Sequence, residues 1–71
     1  MLVGDLIYND DFDVNCNFDI YDCSGDKDWS EANLIHTNIN NHEKPLDEIL
    51  DMKIKYITFD TKRNSIVIEA Q

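Results

Sequence analysis

The residues able to do chemistry in this 71-residue chain are mostly carboxylates. Asp22, Asp26, Asp28 and Glu31 fall in one short stretch, and hard oxygen ligands on a loop are what Ca²⁺ takes. Counted from Asp22, Lys27 stands where an EF-hand loop needs glycine and Gly25 comes too early, so only an irregular calcium loop would fit. Cys16, Cys23, His36 and His42 make a superficial zinc set. Zinc cysteines typically sit about two to four residues apart on a tight turn, which Cys16 and Cys23 do not. Strand parity reads Cys16 as a core thiol and puts Cys23 on the opposite face. Cysteine or serine catalysis needs a histidine and an orienting carboxylate alongside. The residue types are present, but no nucleophile elbow, phosphate loop or dinucleotide fingerprint accompanies them. His36, in a predicted strand, and His42, in a polar loop, read as solvated histidines. No catalytic residue, metal or cofactor is assigned, and the expectation is a chain that is not an enzyme.

What remains is charge. Fifteen acidic residues against six basic ones give a net charge of −9. Residues 1–31 hold nine acids against Lys27 alone, a balance of −8; residues 32–71 hold six acids against five bases, a balance of −1. Such a surface repels nucleic-acid phosphates and anionic membranes and attracts basic partners. Asp10, Asp11, Asp13, Asp19, Asp22, Asp26, Asp28 and Glu31 are read as projecting along one edge of a first hairpin and its turns, with Tyr21 as a contact residue among them. Strand-alternating carboxylates of this kind resemble a phosphate array in charge, and proteins that occupy basic grooves work by that complementarity. The basic set Lys53, Lys55, Lys62 and Arg63 is expected to pair with the acidic half or to guard an edge strand.

The elements that position these groups follow from periodicity. Met1–Asn9 places Val3, Leu6 and Ile7 on one helical edge, weakened by Gly4. Asp13–Asp22 alternates cleanly, with Val14, Cys16, Phe18 and Ile20 inward and Asn15, Asn17, Asp19 and Tyr21 outward, as in a half-buried strand. Cys23–Ser30 is a loop whose Trp29 is expected to seal the core. Glu31–Thr37 reads as a second strand through Leu34 and Ile35. Pro45 suits the first position of a short helix carrying Leu46, Ile49 and Leu50 on its apolar stripe.

Met52–Ala70 reads as a closing hairpin broken at Thr61-Lys62-Arg63-Asn64. A turn at Lys62-Arg63 sets Phe59 opposite Ile66 and Ile57 opposite Ile68, whereas a three-residue loop with Asn64 left-handed slips the register by one. Either way both faces keep apolar residues, so the hairpin lies centrally in the sheet or meets a helix or second subunit. The expected fold is one α+β domain over residues 1–71, ordered α-β-β-α-β-β, with an antiparallel sheet of two β-hairpins and two short helices.

The blocks VGDLI, FDVNCNFDIYDC and LDEILDMKIKYITFD…IVIEA resemble a group of short accessory proteins carried by prophages and conjugative elements of low-GC Gram-positive bacteria such as gut clostridia. No catalytic or ligand residue is assigned in that group. The resemblance implies an accessory gene of a mobile element, a class that includes small inhibitors of the anti-CRISPR and anti-restriction type. The expected function is therefore a small acidic binding protein, engaging a basic protein partner such as a nucleic-acid-binding enzyme without touching nucleic acid or membrane. The acidic calcium loop and a structural homo-oligomer, such as a homodimer, are the alternatives. Two cysteines are too few for a disulfide framework, and no apolar run approaches the ~20 residues that span a bilayer. A cytoplasmic protein with free thiols is the expectation.

Overall fold

The computed structural model describes residues 1–11, 14–25, 27 and 30–71. In chain order the elements are α1 (Val3–Ile7), β1 (Asn17–Asp22), β2 (Asn33–Thr37), α2 (Asp47–Leu50), β3 (Ile54–Asp60) and β4 (Ser65–Ala70). The α+β class and the element order follow the sequence pattern. The sheet does not: its strand order is β2-β1-β4-β3, and β1 lies parallel to β4 in the middle. The two hairpins are thus antiparallel ribbons joined by one parallel seam, and the sheet is mixed, not antiparallel throughout.

The seam is in register from Asn17 opposite Ser65 to Asp22 opposite Ala70. The Cys23 amide adds one more bond, to the Ala70 carbonyl at 2.7 Å. Phe18, Ile20, Ile68 and Ala70 line one side of the seam and pack with Val3 of α1 and Ile49 and Leu50 of α2. Each helix is too short to persist alone and holds its shape through this contact. Gly4 has a specific task here: a Cβ at that position would come within 3.1 Å of the Leu50 carbonyl oxygen, so α1 lies close on α2 because the side chain is missing. Pro45 is buried but precedes α2, whose N-cap is Leu46, and Leu46 is exposed, so the apolar stripe reduces to Ile49 and Leu50.

The alternation expected from Asp13 onward holds only within the strand. β1 starts at Asn17, so Cys16 lies in the bend before it and is exposed, while Cys23, just past its end, is fully buried. The parity argument for a buried Cys16 fails because regular strand geometry does not reach that far back. Trp29 lies outside the described residues.

The β3–β4 hairpin takes the first of the two registers, with Phe59 opposite Ile66 and Ile57 opposite Ile68. Asn64 adopts a left-handed φ of 51° as well, closing a four-residue connection without slipping the pairing. A register shift between Ile54 and Tyr56 puts Ile54 on the core side while Lys55 occupies the irregularity. β4 is buried on both faces, whereas β3 is the sheet's outer strand, and its Tyr56, Ile57 and Phe59 are exposed.

Asn64→Val should destabilise the protein by about 1–2 kcal/mol, because a β-branched residue is strained at that φ, while Asn64→Gly should stay within about 0.5 kcal/mol of wild type. Urea denaturation of the two variants measures both.

Candidate functional site

The organising polar cluster lies on the sheet face away from the helices. Asp19, in the middle of β1, has no exposed surface. Its carboxylate accepts four hydrogen bonds: Arg63 Nε to Oδ2 at 2.7 Å, Arg63 Nη2 to Oδ1 at 3.1 Å, Thr37 Oγ1 to Oδ1 at 2.6 Å and Ser65 Oγ to Oδ2 at 2.8 Å. The donors come from β2, from β4 and from the loop between β3 and β4. Burial pushes the Asp19 carboxyl up, but the bonds from Arg63, Thr37 and Ser65, with the Arg63 charge, outweigh it and hold the pKa below the usual aspartate value. Asp19, read from the sequence as a surface contact, is therefore an internal structural charge. The error has a physical source. Alternation places Asp19 on the face opposite Phe18 and Ile20, and that second face is covered too: Ser65, Val67 and Glu69 of β4 are buried on it.

Tyr21, two residues on, is half-buried on the same face. Burial raises its pKa, with the negative charge of Asp19 adding to the shift, Arg63 opposing it and Asp60 adding again. Asp22 ends the strand and is tied locally: it accepts the Ser24 hydroxyl at 2.7 Å and the Ser24 amide at 3.1 Å, and these bonds lower its pKa. Asp10, Asp11 and Glu31 are exposed; the Asp11 amide donates to Asn9 Oδ1 at 2.8 Å in an Asx turn. Asp13, Asp26 and Asp28 lie outside the described residues. The described carboxylates do not form one edge. Asp10 and Asp11 precede β1, whereas Asp22 ends it and Glu31 lies in the connection between β1 and β2. The alternating array along β1 does not form at the surface, because Asp19 is inside.

Among the described residues no group of three or more His, Cys, Asp or Glu gathers as a metal site. Cys16 and Cys23 stand at opposite ends of β1, which separates the superficial zinc set. Cys23 Sγ donates to Glu69 Oε1 at 3.7 Å, and burial followed by the Glu69 charge raises its pKa, so the thiol stays protonated and unreactive. An open cleft of about 580 Å³ lies between the entry to β1 and the connection after β2, with Tyr8, Cys16, Phe18, His42 and Lys44 among its lining residues. Lys44 Nζ sits 4.5 Å from the Tyr8 ring centroid. The asparagines of the cleft serve the fold. Asn38 accepts the Phe18 amide at 2.7 Å and donates to the Cys16 carbonyl at 2.9 Å, and Asn41 donates to the Thr37 carbonyl at 3.0 Å.

His36 departs from its reading as a solvated side chain. Its ring stacks on Phe18 with centroids 6.1 Å apart, and its Nε2 is buried without a partner. Burial lowers its pKa, with the Glu43 charge acting the other way. The register of Ile20 opposite His36 turns the ring toward the core side, where Leu34 and Ile35 alone give no sign of it.

No family model, curated protein or solved structure matches the chain. No helix among the described residues is long and apolar enough to cross a membrane.

Two outcomes follow for stability. Asp19→Asn should cost about 2 kcal/mol, since it strips the charge from a buried, fully bonded site whose Arg63 partner is only partly enclosed. Because the folded pKa of Asp19 is depressed, its contribution is complete above the unfolded value near 3.8 and fades as pH falls through the folded value. The gap between wild type and variant in denaturation should narrow accordingly below pH 4. His36 is depressed as well, so folding loses stability as pH falls below its unfolded value of 6.5. Thermal melts of His36→Phe between pH 7 and 5 should show a flatter pH dependence than wild type.

Proposed function

We propose that this chain is a small non-enzymatic binding protein that engages a basic protein partner through its surface carboxylates. It would serve as an accessory factor of a mobile element acting in the cytoplasm on a nucleic-acid-binding enzyme, in the manner of inhibitors that occupy a basic groove. The observation that carries this reading is where the positive charge goes. Arg63, the one arginine, is bound bidentately to the buried Asp19. Setting Asp19 aside, residues 1–31 still hold eight acids against Lys27, a balance of −7. Asp5, Asp10, Asp11 and Glu31 among them are exposed. Asp5 and Asp22 also serve local turns, but their charges, with those of Asp10, Asp11 and Glu31, have no arginine to offset them, and a surface of net negative charge raises association rates with basic partners.

The carboxylates at the two ends of the first hairpin would then make separate contacts with a partner longer than the hairpin. Tyr21, half-buried beside Asp19, keeps a supporting place between them.

The test is affinity capture from a low-GC Gram-positive lysate. One bait is the wild-type chain, and the other carries Asp10→Asn, Asp11→Asn, Asp22→Asn and Glu31→Gln together. Wild type should retain basic proteins at low salt and release them as salt rises from about 0.05 to 0.5 M. The neutralised bait, equally stable by melting, should lose them. Specific partners that stay bound to the neutralised bait would defeat the proposal.

A further inference from the structure

The acidic end of the sheet leaves the opposite edge unexplained. β3 is an outer strand of seven residues, and the N-terminal segment covers only its beginning, through the Leu2–Lys53 bridge and the Ile54 amide bound to the Met1 carbonyl. Beyond Ile54, no strand among the described residues pairs with its outer side. Tyr56, Ile57 and Phe59 are 60%, 49% and 57% exposed on this stretch. Ile57 and Phe59 continue the core face, opposite Ile68 and Ile66, at a place the two short helices do not cover. Past the irregularity at Lys55, Tyr56–Asp60 is a regular open edge with aromatic and β-branched side chains, the kind of strand that pairs with another. The other edge, β2, has five residues, and its register shift falls inside the paired stretch and not at its start as in β3.

We propose that the β3 edge is the contact between two copies of this chain, paired antiparallel strand to strand about a two-fold axis at Thr58. Three observations select a second copy as the occupant. The first is self-complementarity. With Thr58 on the axis, Ile57 of each copy stands opposite Phe59 of the other on the helix-bearing face, and the four side chains close into one apolar patch continuous with Ile66 and Ile68. The second is charge placement: the acidic excess of this −9 chain lies in residues 1–31, away from β3, and with Arg63 bound to Asp19 only Lys53, Lys55 and Lys62 stand against Asp60 along Met52–Lys62.

In the strand order β2-β1-β4-β3, pairing through β3 sends the two acidic β1–β2 hairpins to the far ends of a joined sheet. The two β1 strands are then five strand spacings apart, roughly 24 Å, about three Debye lengths at physiological salt. Pairing through β2 would bring the acidic hairpins together. The third is size. Tyr56 and Phe59 each leave on the order of 100 Å² open. With Ile57 and the strand backbone, two copies bury close to the ~1,000 Å² at which specific interfaces begin, which fits a reversible micromolar dimer.

The dimer leaves both acidic hairpins free, so it stands whether or not the basic-partner reading does. Salt also separates the two. Screening relieves repulsion between two chains of −9, so self-association strengthens with salt, opposite to capture of a basic protein.

The experiment is sedimentation equilibrium of the full chain from about 1 µM to 1 mM, at low and at physiological salt. Wild type should pass from 8.3 kDa to twice that mass, with a tighter Kd at the higher salt. Phe59→Lys should weaken the dimer at least about tenfold while keeping the wild-type circular dichroism spectrum. A register check does not depend on that variant. In a Cys16→Ser background, Thr58→Cys lies opposite its own copy at a separation a disulfide can bridge. It should cross-link at least about tenfold faster than Thr61→Cys, which has no cysteine opposite. A wild-type chain that stays at 8.3 kDa throughout, as it would if the edge served a foreign peptide, overturns the proposal. So does a dimer that survives Phe59→Lys, or equal cross-linking at Thr58→Cys and Thr61→Cys.

Discussion

The structure depends on one buried carboxylate. Asp19 draws a donor from β2, one from β4 and a bidentate guanidinium from the loop that closes the second hairpin. These are the parts that must be correctly placed for the parallel seam to exist. Burying a charge costs several kcal/mol, and four bonds to it, each worth about 1.5–3 kcal/mol, return that cost only if every donor arrives together. The cluster thus adds little to net stability and much to specificity. A sheet in which β4 slipped by one residue, or paired on its other side, would leave Asp19 charged, buried and short of donors. Ile66, Val67, Ile68 and Ala70 of β4 tolerate several registers by themselves; this carboxylate does not.

The same arrangement sorts the charge of the molecule. Arg63, itself partly exposed, is tied to Asp19, while Asp5, Asp10, Asp11 and Glu31 of the first 31 residues stay exposed. Lys53, Lys55 and Lys62 belong to the opposite side of the sheet, on or beside β3 with its exposed Tyr56, Ile57 and Phe59. One side is charged and polar, the other apolar and regular. On a molecule measuring 30 × 26 × 17 Å, with little room for an enclosed cavity, surfaces of such different character are what interactions have to work with.

What was legible in the sequence was local. The alternation of Phe18 and Ile20, the helical spacing of Val3, Leu6 and Ile7, and the turn chemistry around Asn64 are set by neighbours a few residues away, and each appears where the pattern places it. The seam between β1 and β4 joins residues almost fifty positions apart and has no local signature, so two hairpins read as a plain antiparallel sheet. The fate of Asp19 follows from that seam. A strand with one wet face and a strand with two covered faces can carry the same polar residue, and only the identity of the neighbouring strand decides between them. The one available hint was Val67, an apolar residue on the second face of Ser65–Ala70, whose neighbouring strand shares that covered face. Cys16 was misplaced for a smaller reason, the extrapolation of strand parity past the first bonded residue.

The central claim is that Asp19 is an internal ionised group held by Arg63, Thr37 and Ser65, and so belongs to the architecture and not to the acidic surface. Carbon-detected NMR of the aspartate side-chain carboxyls through an acid titration tests it directly. The account predicts that the Asp19 carboxyl titrates below the ordinary aspartate value of 3.8, and that Arg63→Met raises its midpoint. An Asp19 carboxyl that titrates at or above 3.8 in the folded wild-type protein, or that ignores the loss of Arg63, would contradict it.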